Sequence, residues 1–333
     1  KTWVSVNNSV RPGDIAYNST NGLYAQIIGG VAETTLTLDR HIFTAVGQTY
    51  IIYRLGIFVN SLTLSINGTN PKTLSDGLPA GNAMILYEDT SAVPTKIKIV
   101  KIDSDGIISW GPSSVDTANG ANNESILKIE SDGAGGAVIL YKYNDNLYAQ
   151  RIDSTGALLW GAGGLAVETG ATLTSEEDMV YDSANNGVIV AARTNSNDIW
   201  VNRVGTVTWA AAYNPAIYGT QRNPKIYYDG ADLLVFWEDN RFSASLGNGI
   251  FGIKLNTVLS AFSVPAAWYA NSGGGTADTS GVAIILNGLN KTWLNTQLIK
   301  YNSNNFFLGF EDYRDALGIN LKYFNQLGTW TPP

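Results

Sequence analysis

Residues Asn123–Gly164 read NESILKIESDGAGGAVILYKYNDNLYAQRIDSTGALLWGAGG. The segment divides into four parts. A first strand ends in Asp132-Gly133. A second, apolar strand (Ala137–Tyr141) ends in a polar corner around Asn144 and Asp145. A third, Leu147–Ile152, runs into the turn Asp153-Ser154-Thr155-Gly156, and a fourth carries Trp160. Short apolar runs bounded by Gly, Asn and Asp are strand signals. The stretch therefore predicts a unit of four short strands.

The same pattern recurs at a period of roughly 50 residues, in the range of propellers and solenoids. Upstream, NPKTLSDG (Asn70–Gly77) leads to AMILYED (Ala83–Asp89), KIKIVKI (Lys96–Ile102) and the turn Asp103–Gly106 with Trp110. Downstream, MVYDS (Met179–Ser183) leads to GVIVAAR, DIWVNR (Asp198–Arg203), Gly205 and Trp209. NPKIYYDG (Asn223–Gly230) leads to LLVFWEDNR (Leu233–Arg241) and GIFGIKLN (Gly249–Asn256). The last copy is LIKYNSNN, FFLGFEDYR (Phe306–Arg314), GINLKYFN (Gly318–Asn325), then Gly328 and Trp330. These are five readable copies from about Ile66 onward. Before them, GLYAQIIGG (Gly22–Gly30) echoes the third strand, and YIIYRLGIFVNSLTL reads as two more strands. Ser263–Trp293 stretches the spacing and is expected to be a long loop or an irregular blade.

A four-stranded unit cannot bury both faces alone, but units stacked around an axis pack on their neighbours and leave only short edges. The expected fold is all-β, a β-propeller of six or seven four-stranded blades. It would occupy residues 1–333 as one domain, with 1–65 supplying divergent N-terminal blades and 66–333 the five readable repeats. The repeated Trp and the pairs Gly135-Gly136 and Gly163-Gly164 are expected to serve packing between blades.

The combination W-E-D-x-R, then I-Y-A-Q-x-I-D, then G-x-x-x-W resembles a repeat of bacterial secreted and cell-surface proteins of propeller fold. Phe236–Arg241 and Leu147–Asp153 carry it best. The resemblance covers about the last four-fifths of the chain. It implies extracellular display, at the cell surface or secreted, and it implies no particular activity.

Composition narrows the partners. Charged residues make up 15%, and 28 Asp and Glu against 21 Lys and Arg leave a net charge of −7. Nucleic acid is not an expected partner, because phosphate binding needs clustered Lys and Arg. No apolar run is long enough for a membrane helix. With no Cys and a single His (His41), thiolate and multi-His metal sites are excluded.

The candidate chemistry is sparse. Glu88-Asp89, Glu238-Asp239 and Glu311-Asp312 resemble paired catalytic carboxylates, but they occupy one place in three copies. A residue repeated with the fold is expected to serve the fold. Asp89, Asp239 and Asp312 are therefore expected to cap turns, the last two through local hydrogen bonds or an Arg pair, with Arg241 and Arg314 reaching a neighbouring blade. Asp103 and Asp153 stand three before a Gly and are expected to close hairpins. That spacing differs from the Ser-x-Asp-x-Gly-x-x-Trp box of sialidase-type propellers. Asp103-Ser104-Asp105-Gly106 has two carboxylates in one turn but lacks a full set of calcium ligands, so a solvated turn is expected there, with a structural calcium as the alternative and no other cofactor. Trp110, Trp160 and Trp209 are expected at equivalent places in successive sheets. Trp200, Tyr213, Tyr218, Trp268 and Tyr269 fall outside the main pattern and are the candidates for stacking on a sugar or a protein. The expectation is a non-enzymatic module for recognition, adhesion or surface assembly, with a glycan, a protein or another copy of itself as partner. A glycan-processing enzyme and a structural subunit of a surface filament or phage-like appendage are the alternatives.

Overall fold

A computed structural model of the chain describes residues 4–5, 8–9, 14–32, 35–41, 44, 50–53, 67–76, 81–91, 93–104, 107–117, 122–169, 173–214, 219–230, 232–241, 249–256, 281–285, 297–302, 305–312 and 318–325. The chain gathers into two compact units, Lys1–Thr63 and Leu64–Pro333. The boundary falls close to Ile66, where the readable repeats begin.

The first unit holds the strands β1 (Val4–Ser5), β2 (Asn8–Ser9), β3 (Ile15–Asn18), β4 (Leu23–Ala32), β5 (Thr35–Leu38) and β6 (Tyr50–Tyr53). β1 and β2 form a two-stranded ribbon, and the others pair in the order β5-β4-β3-β6. In the β3–β4 hairpin the Asn18 side chain accepts the Thr20 N–H at 3.0 Å, and the Gly22 N–H reaches the Asn18 carbonyl at 2.9 Å.

The second unit consists of small antiparallel sheets, and each readable copy corresponds to one. Sheet I is β7 (Gly68–Ser75), β8 (Ala83–Asp89), β9 (Lys96–Ile102) and β10 (Ile108–Ser114). Sheet II is β11 (Glu124–Ser131), β12 (Ala137–Tyr143), β13 (Asn146–Ile152) and β14 (Leu165–Glu168). Sheet III is β15 (Leu173–Asp182), β16 (Gly187–Thr194) and β17 (Ile199–Val204). Sheet IV is β18 (Gln221–Tyr228), β19 (Asp232–Asp239), β20 (Gly249–Asn256) and β21 (Val282–Ile285). Sheet V is β22 (Gln297–Asn302), β23 (Asn305–Asp312) and β24 (Gly318–Asn325). Every sheet is a simple meander in chain order.

The second strands explain the stacking. In β12, Ala137, Ile139 and Tyr141 pack with Met84, Leu86, Ile97 and Ile99 of sheet I. The alternate residues Val138 and Leu140 pack with Met179, Val188, Val190 and Ala192 of sheet III. In β16, Ile189 and Ala191 turn the other way, toward Val235, Trp237 and Phe251 of sheet IV. Each of these strands is thus buried on both faces, which is why it reads as a continuous apolar run rather than an alternation. The first strands adjoin in the order β7, β11, β15, β18, β22. Sheets stacked face to face in chain order, with their first strands side by side, are arranged as propeller blades are.

The strands expected in residues 1–65 include β3–β6, which pair in an order other than that of the chain. Sheets III and V have three strands each among the described residues, and the fourth strand expected around Trp330 lies outside them. Gly136 and Gly164 serve close approach within a sheet, while the Gly135 carbonyl accepts the Lys101 ammonium of sheet I at 3.0 Å. A Cβ on Gly136 would lie 2.2 Å from the Ile152 carbonyl oxygen, and one on Gly164 would lie 2.4 Å from that of Ala149. Of the segment Ser263–Trp293, Val282–Ile285 forms the fourth strand of sheet IV. The part 263–280 and the part 286–293 lie outside the described residues.

Candidate functional site

The first strands carry most of the ionic chemistry. Each of β7, β11, β15 and β18 has a register irregularity in its pairing with the second strand. In β7 and β18 it coincides with Asn-Pro-Lys, whose Asn70 and Asn223 take the left-handed φ of 49° and 50°. Asn tolerates that conformation better than most residues. A bulge frees main-chain N–H groups from the ladder, and carboxylates of neighbouring segments collect several of those nearby. Glu88 of sheet I accepts the Ile126 N–H at 2.8 Å and the Asn70 amide at 2.8 Å. Glu130 of sheet II accepts the Tyr181 N–H at 3.2 Å. In sheet III, Glu176 accepts the Asn223 N–H and Asp178 the Ile226 N–H, both at 2.9 Å. These bonds join each sheet to the next.

β11, β15 and β18 together line a cavity of about 370 Å³, with Leu127, Lys128, Glu130, Glu177, Asp178, Lys225 and Ile226 on its walls. Lys128 pairs with Asp178 and, at 3.0 Å, with Glu130, and it donates to the Met179 carbonyl at 2.8 Å. Glu177 lies 3.3 Å from the Lys142 ammonium. One of its oxygens is buried without a well-aligned hydrogen bond, so this contact is ionic rather than directional. Burial pushes the carboxyls of Glu130 and Glu177 above the usual carboxylate range, against the pull of their lysines. For Lys128, burial works against the charged form, but the fields of Asp178 and Glu130 outweigh it and its pKa is raised.

The opposite end of the first strands shows a pattern that went unread in the sequence. Asp76 pairs with Lys101 at 3.1 Å, Asp132 with Arg151 at 2.9 Å, and Asp182 with Arg203 at 2.6 Å. Asp76 and Asp132 directly follow a first strand and Asp182 is the last residue of one, and each base is the penultimate residue of the third. Asp132 also accepts the Ala134 and Gly136 N–H groups, both at 2.8 Å, which closes the hairpin. The signal was present: Asp precedes Gly or Ser at the end of every first strand in the first four copies.

The predicted positions fall as follows. Asp239, buried at the end of β19, accepts the Arg241 N–H at 2.8 Å, the Arg241 guanidinium at 2.6 Å and the Trp237 indole N–H at 3.0 Å. Asp89 accepts the Ser91 N–H at 3.0 Å and its hydroxyl at 2.6 Å. Asp103 accepts the Ile107 N–H at 2.8 Å. Asp153 accepts the Thr155 hydroxyl at 2.7 Å and the Ala157 N–H at 3.0 Å. These bonds, the Thr155 hydroxyl first, hold the Asp153 carboxyl below its usual range. Asp312 ends β23, but its side chain, and Arg314 altogether, lie outside the described residues.

Trp110 donates its indole N–H to the Ser154 carbonyl of sheet II at 2.8 Å, and its ring lies over Gly156. Trp160 donates to Asn186 of sheet III at 3.2 Å, and Trp209 is buried in the cluster between sheets III and IV. Their backbone settings differ in one respect. Trp110 opposes Lys101 within β10, and the Trp209 N–H bonds the Arg203 carbonyl. In sheet II Leu159 takes that role, so Trp160 sits one residue further along and precedes the fourth strand instead of lying in it. Of the stacking candidates, Tyr213 is fully buried in the cluster between sheets III and IV, and Trp200 packs on the one between II and III. Tyr213 is thereby corrected from a surface platform to a core residue. Tyr218, Trp268 and Tyr269 lie outside the described residues. Among the described residues no three His, Cys, Asp or Glu side chains are placed to hold a metal ion.

No protein-family model matches the sequence, and no curated protein does. Among solved structures, the GH43 endo-arabinanase from Bacillus licheniformis aligns at 15% identity and a TM-score of 0.38, over 80% of this chain and 98% of that one. An endo-1,4-β-xylanase from Bacteroides thetaiotaomicron aligns at 7% identity and 0.37, over 80% and 94%. The polysaccharide lyase Uly1 aligns at 9% and 0.42, over 91% and 68%. At scores this low, fold and function rest on the chain's own strand pairing and side chains.

Proposed function

We propose that the second unit is a non-enzymatic β-propeller of five blades, displayed outside the cell, whose role is recognition. One observation carries this reading. Every carboxylate on the wall of the cavity between β11, β15 and β18 is held by a lysine, and two of the three also accept a main-chain N–H. Acid–base hydrolysis needs two differently tuned carboxyls free to approach the bond being broken. Here the carboxyls bind the sheets to one another, and what remains in the cavity is a polar surface suited to holding a ligand. The acidic corners Glu88-Asp89 and Glu238-Asp239 have the same character, since they accept turn and seam hydrogen bonds. Five meanders in one compact unit support the count of five blades. The resemblance to surface repeat proteins supports extracellular display.

The enzymatic alternative has one observation in its favour: Glu130 and Glu177 lie in a cavity with carboxyls raised by burial, as a general acid requires. A panel of chromogenic glycosides separates the two readings. No turnover, together with saturable binding on a glycan array, is the expected result. Turnover abolished by Glu177→Gln would establish the enzyme instead. Light scattering on the same protein tests self-association, the form that a role in assembly would take.

A further inference from the structure

Five residues share one register in successive first strands. Lys72 opposes Leu86, Lys128 opposes Leu140, Asp178 opposes Ala191, and Lys225 opposes Phe236. Each of the four stands four residues before the Asp at the hairpin end of its strand, Asp76, Asp132, Asp182 and Asp229. Aligning Glu311-Asp312 with Glu238-Asp239 puts Gln297, opposite Gly309, at the same level. The row therefore reads Lys, Lys, Asp, Lys, Gln, in a chain whose net charge is −7. The single Asp consumes one lysine, because Asp178 is bound by Lys128. Lys225 borders the same cavity, half-buried, and has no ion pair or hydrogen bond from its ammonium among the described residues.

We infer that this cavity binds a carboxylate-bearing saccharide of one or two rings, with Lys225 as the anchor of its carboxylate. The inference rests on the binding reading above and names its ligand class. A half-buried ammonium without a counter-ion gains a charge-assisted hydrogen bond when a carboxylate arrives. The volume of about 370 Å³ lies at the small end of ligand sites. Glu130 and Glu177 retain acceptor capacity beyond their lysines, and sugar hydroxyls are donors that can use it. Leu127 and Ile226 give the walls apolar surface for a ring face. The three cavity carboxylates select for a singly charged ligand, since a phosphate dianion would meet more repulsion than one lysine offsets.

Titration calorimetry of the full chain with glucuronic and galacturonic acids, and with disaccharides in which one ring is such an acid, tests this, with glucose and galactose as neutral counterparts and inorganic phosphate as the dianion. The expected result is saturable binding of a uronate, at least about tenfold weaker for its neutral counterpart and for phosphate. Lys225→Gln should weaken the uronate by a similar factor, while Lys98→Gln, whose ammonium bonds the Ser114 hydroxyl within sheet I, should not. Equal affinity for neutral and acidic sugars, unchanged in Lys225→Gln, would overturn the anchor and leave a binding module standing. No binding of any saccharide at millimolar concentration would overturn the ligand class. Turnover of an acidic sugar would leave the site in place and remove the non-enzymatic reading.

Discussion

The two ends of the first strands obey different rules. At the hairpin end the same ion pair is built three times, Asp76 with Lys101, Asp132 with Arg151 and Asp182 with Arg203, and each pair stays within its own sheet. Along the cavity row the equivalent positions differ from sheet to sheet, as Lys72, Lys128, Asp178, Lys225 and Gln297, and the contact that forms runs between sheets. A pair kept in three copies answers to a need that those copies share, which is closing a hairpin. A residue that varies at a fixed register answers to something that the unit has once. The search for function therefore belongs at the varied end.

The hairpin end is the place to break stability. In the Asp182–Arg203 pair the Asp side chain is fully buried and the Arg side chain is 9% exposed. Asp182→Asn leaves that guanidinium short of its counter-charge, and removing one partner of a buried pair costs roughly 3–5 kcal/mol. Urea denaturation should show the loss at an unchanged slope. An unaltered midpoint would mean that the pair is ornamental. Asp239→Asn breaks a pair with Arg241 that is buried to the same degree, so a loss of the same order, roughly 3–5 kcal/mol, is expected by the same measurement. A negligible loss there would mean that the two corners are not equivalent.

Acidification sharpens the comparison without mutation. Burial raises the carboxyls of Glu124, Glu130, Glu177 and Glu238 above 4.5 in the folded chain. A group raised on folding contributes stability that is complete below its unfolded pKa and lost as pH rises through the folded one. These four glutamates therefore favour the fold more at about pH 5 than at pH 7. Asp153, held low, withdraws its support only further down. The melting temperature should stay level or rise on going from pH 7 toward pH 5. Glu130→Gln, which leaves Lys128 its bond to Asp178, should reduce that trend. A steady fall over the interval would contradict the burial argument. The smallest expected effect is that of Lys225→Gln, within about 0.5 kcal/mol, because no interaction of the ammonium is lost. A marked loss of stability there would reveal a structural role and weaken its assignment as a ligand anchor.

Much of the second unit was legible because its repeats share short apolar runs and turn residues at fixed offsets. Strand β12 could be read from AVILY, and the hairpin caps from Asp153 and Asp239, because these are local interactions within a few residues. The strand order of the first unit was not legible. GLYAQIIGG carries the same local pattern as NLYAQRIDSTG, yet its strand pairs into β5-β4-β3-β6, and pairing order depends on partners far along the chain. The burial of Tyr213 was hidden for a related reason: its isolated pairing with Val201 draws it into a cluster shared by two sheets.

By itself, the sequence determined that the chain is all-β, that it repeats, and where the strands and turns of each copy lie, because backbone preference and hydrophobic period are properties of short segments. It also determined that thiolate and multi-His chemistry are absent. Only the tertiary structure decided which residues of different copies meet. Lys128 and Asp178 are separated by 50 positions and pair only because β11 and β15 adjoin. Carboxylates that look like a catalytic supply in the sequence become seam bonds once bulged strands present their N–H groups. Lys225 stands out only when the ion pairs of its neighbours are known, since charge compensation is a property of packed surroundings and not of spacing along the chain.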